Sequence, residues 1–172
     1  PKAMVPIGGI PLLHKLVQHL RAERVKDVVV VRGFGKEQVH APDVHFVDND
    51  EFATTGELSS LAKAGEDLDG ALIISYGDIL FRRYILTSLL AEAGDIVLAV
   101  DAAWQDRLGS KGVHDYVRAT RPYSTKYSEE EVFLEEMSPA LPPEKVSGEW
   151  MGLLKTTPRG TAALKSALLN LT

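Results

Sequence analysis

The sequence predicts an α/β fold in which a mostly parallel sheet is covered by helices on both faces. The predicted strands are continuous apolar runs, whereas strands with one face in solvent alternate apolar and polar residues. Segments with apolar residues at helical spacing separate these runs, as expected for the crossover helices that parallel strands need. The first hundred residues therefore indicate a doubly wound layered structure.

Each helix and strand predicted in the first hundred residues follows from a local sequence pattern. The first helix is predicted from apolar residues at helical spacing, namely Leu13, Leu16, Val17 and Leu20. The β-branched run Val28–Val31 predicts the first buried strand. The same criteria predict strands at Val44–Val47, Ala71–Tyr76 and Ile96–Val100 and helices at Leu58–Ala64 and Arg83–Ala93.

The composition and periodicity of the sequence change after Asp101. The stretch from Arg107 to Glu131 is polar and lacks either periodicity, which leaves two interpretations, a long loop or lid and a disordered segment. Thr157-Pro158 places a capping hydroxyl before a proline and predicts a last helix that runs through Leu169. Strand-like segments lie between these regions at Glu131–Met137 and Glu149–Lys155, with Pro139–Pro143 as an interruption.

Composition narrows the class of protein. A chain of 172 residues with 45% hydrophobic content predicts a single domain with a sizeable core. Its net charge of −5 argues against a nucleic-acid or anionic membrane surface, so we expect small-molecule partners. The absence of cysteine excludes disulfides, thiolate metal sites and a cysteine nucleophile. Without an 18-residue apolar run or a signal-peptide pattern, we expect a cytoplasmic protein.

One predicted strand leads into a carboxylate. The apolar run that begins at Leu72 continues directly into Gly77-Asp78, which places Asp78 at the carboxyl end of a strand. Ligands bind at that edge of open α/β sheets, and a carboxylate there suits a divalent cation held against phosphate oxygens. The alternative is an aspartate that opens the turn before a helix.

Four motifs carry a resemblance to a known family. Through them the chain resembles nucleotidyltransferases, in particular the cytidylyltransferases that act on phosphocholine and on phosphonates. It is similar to the cytidylyltransferase half of bifunctional phosphoenolpyruvate mutase enzymes of the fosfomycin pathway, and the resemblance covers nearly the whole chain. The lysine motif is shared by many sugar-nucleotide enzymes, whereas the combination is more specific. The motifs are PKAMVPIGGIPLL (Pro1–Leu13), TGELSSL (Thr55–Leu61), YGD (Tyr76–Asp78) and GEWMGL (Gly148–Leu153).

The resemblance implies a Rossmann-like three-layer nucleotidyltransferase fold and a CTP-dependent reaction that joins CMP to a phosphonate, such as 2-hydroxyethylphosphonate, with release of pyrophosphate. The alternatives are a phosphocholine or sugar-1-phosphate nucleotidylyltransferase and a non-catalytic nucleotide-binding module. The family begins with a strand and a glycine-rich phosphate loop that the sequence from Pro1 onward does not contain. We therefore expect the chain to be the C-terminal part of a longer one, with a phosphoenolpyruvate mutase domain as a possible upstream fusion.

The resemblance also assigns the groups around the phosphates. Lys2 would be the catalytic cation, with an ordinary exposed lysine as the alternative. Asp78 and Glu149 would hold Mg²⁺, since each emerges from a strand pattern and carries hard oxygen ligands. For Glu149 the alternative is a solvated residue on an edge strand.

The remaining assignments concern the two substrates. Hydroxyls around Thr55 and Ser60 lie at a loop-to-helix junction, where they could cap the helix or contact the base, and the cap is the expected use of any single hydroxyl. The five histidines show no metal-ligand spacing, and His114 is the one most open to a role. Trp104 would line the acceptor pocket or be an ordinary packed tryptophan. Assigned to the nucleotide are Gly56, Glu57, Ser60, Tyr76 and Gly77, and to the acceptor Trp104, Arg118, Arg121 and Lys126.

Overall fold

The computed structural model describes residues 1–107, 114–124 and 131–170. The chain forms two compact units. Unit 1 comprises Pro1–Val97 and Leu154–Thr172, and unit 2 comprises Leu98–Leu153. That the whole chain acts as one nucleotidyltransferase domain stays a prediction.

The described residues form four α-helices and nine strands. The helices are α1 (Leu12–Ala22), α2 (Glu57–Lys63), α3 (Arg83–Ala91) and α4 (Pro158–Leu169). The strands are β1 (Pro6–Ile7), β2 (Ile10–Pro11), β3 (Val29–Arg32), β4 (His45–Asp48), β5 (Leu72–Ser75), β6 (Ile96–Asp101), β7 (Tyr116–Ala119), β8 (Leu134–Met137) and β9 (Gly148–Thr156).

The strands form sheets of mixed orientation. β3 and β4 form a parallel two-stranded sheet, and β1 and β2 form an antiparallel hairpin. The five-stranded sheet has the order β5-β9-β7-β8 with β6 also paired to β9, and β7 runs antiparallel to both β8 and β9. The α/β class is therefore confirmed, but the expectation of a mostly parallel sheet is wrong for unit 2. Antiparallel neighbours need no crossover helix, and the polar sequence there offers none.

Local signals located most elements to within a few residues. α4 begins at Pro158, and the Thr157 hydroxyl accepts a hydrogen bond from the Gly160 amide at 3.3 Å, as the capping pattern predicts. The strand expected from Glu131 begins only at Leu134. The polar stretch contains β7, which the sequence did not predict, because four residues with only Val117 fully buried give too short a periodic signal. Residues 108–113 and 125–130 of that stretch lie outside the described residues.

Two apolar clusters hold unit 1 together. Leu13 and Val17 of α1 pack with Val39 against the inner faces of β3 and β4. Leu168 of α4 packs with Ala64 and Leu68 at the end of α2. Each fully buried leucine contributes roughly 1.5–3 kcal/mol relative to an exposed one, so these contacts fix α1 and α4.

None of the helices within the described residues has the length and apolar character that a membrane crossing requires. The longest of them, α4, has 12 residues.

Candidate active site

A cleft in unit 1 contains the two residues predicted to act on the phosphates. Its volume is about 360 Å³. The Nζ atom of Lys2 lies 3.6 Å from Oδ2 of Asp78. The cleft is lined by Pro1, Lys2, Ala3, Leu13, Val30, Val31, Arg32, Gly33, Phe34, Val39, Gly77 and Asp78.

Short-range hydrogen bonds position Lys2. It begins a 3-10 turn, Lys2–Met4, which the Val5 amide closes on the Lys2 carbonyl at 3.0 Å. The Leu12 amide donates to the Val5 carbonyl at 3.0 Å, which ties this turn to the start of α1. The backbone is thus anchored, while the Lys2 side chain is 87% exposed.

Asp78 lies three residues beyond the end of β5, at the sheet edge where the sequence predicted it. Its side chain is 37% exposed. An exposed ion pair of this kind contributes about 0–1 kcal/mol to stability, so the fold gains little from it. What the arrangement provides is an exposed cation and a carboxylate at one cleft, where an anionic ligand and a metal ion would meet.

Asp78 fits magnesium as a single protein ligand. The described part of the chain contains no cluster of three or more His, Asp or Glu side chains that could enclose a metal. Mg²⁺ is commonly bound through one or two carboxylates together with substrate phosphates and water, so one hard oxygen donor at the cleft is sufficient. Glu149, the second predicted ligand, belongs to unit 2 and has the same donor chemistry.

The sequence did not single out Arg32, which lines the same cleft. Its Nε donates to Oδ1 of Asp48 at 2.8 Å, and its guanidinium lies 4.3 Å from the centre of the Phe46 ring. The hydrogen bond from Arg32 holds the pKa of Asp48 below its ordinary value. Lys36 bonds Asp50 at 2.6 Å and Asp48 at 3.3 Å, and these contacts raise the pKa of Lys36. Both cations are therefore paired with carboxylates at the carboxyl end of β4.

Asn49 organises the loop that carries the predicted nucleotide contacts. It is 1% exposed, and its Nδ2 donates to the hydroxyls of Thr55 and Ser60, both at 3.0 Å. Its Oδ1 accepts from the Glu51 amide at 3.1 Å. The expectation that these hydroxyls cap α2 is wrong, because the cap residue is Gly56, which has no side chain, and α2 has no side-chain cap hydrogen bond. The sequence did not single out Asn49. The signal that could have found it is an asparagine immediately after the β4 strand pattern.

The other nucleotide assignments stay predictions. Gly56 has open space where a side chain would project, so a ligand could approach its backbone closely. Glu57 is exposed in the first turn of α2. Gly77 lines the cleft, and Tyr76 beside it is half-buried.

Unit 2 contains the second predicted metal ligand. Oε1 of Glu149 lies 2.9 Å from Nδ1 of His114, and the two side chains are 15% and 20% exposed. The His114 ring stacks on Tyr116 with centroids 5.4 Å apart and an interplanar angle of 6°. β9 approaches β6 so closely here that a side chain at Gly148 would lie 2.4 Å from Val100 Cγ1.

Two of the predicted acceptor residues, Trp104 and Arg118, make contacts within unit 2. Trp104 is 5% exposed and meets Tyr116 edge-on at 5.3 Å, so it is packed rather than displayed on a pocket wall. Arg118 bonds Glu135 at 2.5 Å and Glu136 at 3.2 Å on β8. Arg121 is half-buried, and Lys126 lies outside the described residues. A role of these side chains toward the acceptor stays a prediction.

Sequence comparison places residues 1–141 in the family described as the MobA-like NTP transferase domain. The CMP-5'-(3-aminopropyl)phosphonate synthase of Streptomyces rubellomurinus is 32% identical over 99 residues, which cover 53% of this chain and 16% of that protein. The bifunctional protein GlmU of Chromobacterium violaceum is 35% identical over 104 residues, covering 58% of this chain and 23% of GlmU. The chain thus spans less than a quarter of either relative.

A solved structure gives the same result for the fold. The inositol-1-phosphate CTP transferase from T. maritima superposes with a TM-score of 0.71 at 18% identity, covering 96% of this chain and 65% of that one. This likeness confirms the predicted nucleotidyltransferase fold. The family match confirms the resemblance drawn from the sequence motifs.

Proposed function

Because the chain belongs to the MobA-like NTP transferase domain family, we propose that it transfers CMP from CTP to a phosphonate or phosphate oxygen of a small acceptor and releases pyrophosphate. The observation that carries this proposal is the pairing of Lys2 with Asp78 at 3.6 Å in a cleft beyond the end of β5. Nucleotidyl transfer needs both signs of charge at one place, a cation for phosphate oxygens and a carboxylate for the metal.

The chemistry assigns limited tasks to the chain. The acceptor oxygen is already anionic, so it can attack the α-phosphorus of CTP in line without a covalent enzyme intermediate. The main obstacle is repulsion between two anions, which Lys2 reduces by contacting the phosphates. Mg²⁺ held by Asp78 would supply further charge neutralisation on the phosphate oxygens. Positioning of both substrates then provides much of the remaining rate enhancement.

The relatives support CTP as the nucleotide. One is a CMP-phosphonate synthase and the solved structure is a CTP transferase that acts on inositol 1-phosphate. The phosphonate acceptor rests on the first of these alone. The similarity to GlmU favours a second candidate, a sugar-1-phosphate nucleotidylyltransferase. A non-catalytic nucleotide-binding module is the third.

We also propose that the chain acts as one nucleotidyltransferase domain in which an extended segment, with the glycine-rich loop expected from the resemblance, lies along β3. In support, β3 pairs only with β4 among the described residues, and its residues Val30 and Val31 line the cleft. A preceding phosphoenolpyruvate mutase domain and a cytoplasmic location remain predictions, the latter consistent with the absence of cysteine.

The test is a pyrophosphate-release screen with the full-length gene product. CTP, UTP, GTP and dTTP are each paired with hydroxyethylphosphonate, aminoethylphosphonate, phosphocholine and hexose 1-phosphates. We expect release with CTP and a phosphonate, and loss of release in Asp78→Asn but not in the matched control Asp69→Asn, an exposed aspartate before β5. Preference for hexose 1-phosphates with another nucleotide would favour the second candidate. Nucleotide binding without release from any pair would indicate the third.

A further inference from the structure

Unit 2 holds a carboxylate and an imidazole that are both largely removed from water. Glu149 and His114 are 15% and 20% exposed, and one hydrogen bond of 2.9 Å joins Oε1 to Nδ1. Withdrawing a carboxylate from water is costly, and a buried charged pair is often no more stabilising than apolar residues of the same volume. Stability alone therefore does not account for the pair.

The imidazole is held by its neighbours. Its ring lies flat on Tyr116, with an angle of 6° between the planes. Tyr116 in turn meets the buried ring of Trp104 edge-on at 5.3 Å. The stack fixes the plane of the His114 ring, and the 2.9 Å hydrogen bond to Glu149 selects the orientation in which Nδ1 faces the carboxylate.

The backbone on both sides of the pair is fixed as well. Tyr116 and Glu149 are cross-strand partners in the β7–β9 ladder. The Trp150 amide donates to the Asp115 carbonyl at 2.9 Å, one residue from each member of the pair. At Gly148 the strand lies so close to β6 that an added Cβ would lie 2.9 Å from the Asp101 carbonyl oxygen.

We propose that His114 is a positioning residue that fixes the orientation of the Glu149 carboxylate for metal binding. The inference rests on the proposed function, a metal-dependent nucleotidyl transfer, together with the prediction that Glu149 is a metal ligand. A hydrogen bond from the stacked imidazole to one carboxylate oxygen restricts the side-chain rotamer of Glu149. The carboxylate is then already oriented when the ion binds. Trp104 and Tyr116 then serve the site by supporting the imidazole.

Isosteric substitutions test the hydrogen bond in the full-length protein. Asn places its amide nitrogen where Nδ1 lies, and Gln places it near Nε2. We measure Mn²⁺ binding by electron paramagnetic resonance without nucleotide, together with kcat and the apparent Mg²⁺ constant. His114→Asn should bind Mn²⁺ close to wild type, whereas His114→Gln and His114→Leu should lose about 10- to 100-fold in affinity, the usual effect of removing a ligand's hydrogen-bond partner. The exposed His45 on β4 supplies the control, His45→Gln, with wild-type binding expected.

The double variant separates positioning from general support of the fold. If His114 acts through Glu149, adding His114→Gln to Glu149→Gln should weaken Mn²⁺ binding no further. Equal affinity in the Asn and Gln variants, or additive losses in the double variant, would overturn the inference. If His114→Leu does not fold, the comparison of Mn²⁺ affinity between His114→Asn and His114→Gln still tests the inference.

The two proposals fail in different ways. Normal Mn²⁺ affinity in Glu149→Gln would remove Glu149 from the metal site and overturn both the assignment and the inference. Weakened Mn²⁺ binding in Glu149→Gln together with normal Mn²⁺ binding in His114→Gln would overturn the inference and leave the proposed function intact. Wild-type protein whose Mn²⁺ binding depends on Glu149 and His114 as expected, but which releases no pyrophosphate, would contradict only the proposed reaction.

Discussion

Replacement of Asn49 by alanine should destabilise unit 1 by about 3 kcal/mol. The substitution removes three hydrogen bonds, two from Nδ2 at 3.0 Å and one to Oδ1 at 3.1 Å, at a position that is 1% exposed. A buried hydrogen bond contributes about 1 kcal/mol net, and leaving its partner unsatisfied costs a similar amount or more. The Thr55 and Ser60 hydroxyls lose this donor, and the Glu51 amide is left without its acceptor.

Urea unfolding followed by circular dichroism measures the loss. The midpoint should fall while the slope stays unchanged, since the surface exposed on unfolding is the same. Thr54→Ala is the matched control, because its exposed hydroxyl makes a single 3.1 Å bond to the Glu51 carbonyl, and it should change stability by no more than about 0.5 kcal/mol. A loss below about 1 kcal/mol in Asn49→Ala, or one equal to that of the control, would refute this account of the loop.

Three further predictions follow from other contacts. Asp78→Asn should slow pyrophosphate release, because several kcal/mol of transition-state stabilisation are lost, and should leave the melting temperature unchanged. Near-normal activity at saturating Mg²⁺ would remove Asp78 from the metal site. Gly160→Ala should lower the melting temperature by the equivalent of about 1–3 kcal/mol, since its Cβ would lie 1.9 Å from the Asp95 carbonyl oxygen; an unchanged transition would contradict this contact. Hydrogen bonds from Thr157 and then Arg159 lower the pKa of Asp95 from 3.8, so its contribution is present above that pH and is lost as the pH falls through the lowered value. In melting curves from pH about 5 to about 2, Asp95→Asn should therefore be less acid-sensitive than wild type, and parallel curves would contradict the assignment.

The elements that the sequence located correctly depend on local signals. The Thr157-Pro158 pair sets the start of α4, and apolar spacing sets α1, because both act within a turn or two of helix. β7 was missed because its four residues carry one buried side chain, and its place is decided by pairing with strands far away in sequence. The mixed sheet has the same cause, since strand direction is a tertiary property.

The predictions about the site also depend on whether consecutive residues form the feature or residues apart in sequence do. Asp78 was placed at the correct edge because the strand, the glycine and the carboxylate are consecutive. The expected capping role of the Thr55 and Ser60 hydroxyls was wrong because both accept hydrogen bonds from Asn49, at the start of the β4–α2 loop. The contact of His114 with Glu149 spans 35 residues and has no sequence periodicity that would predict it.

The unpaired side of β3 has a practical consequence for preparing the protein. Within the described residues β3 bonds only to β4, so the edge beside Val30 presents backbone donors and acceptors with no neighbouring strand. Edges of this kind recruit strands from other molecules, and valine favours such pairing. A preparation in which nothing covers this edge should self-associate as its concentration rises, and light scattering over a dilution series would detect it. Chain boundaries for crystallisation and kinetics are therefore best chosen by their effect on this edge.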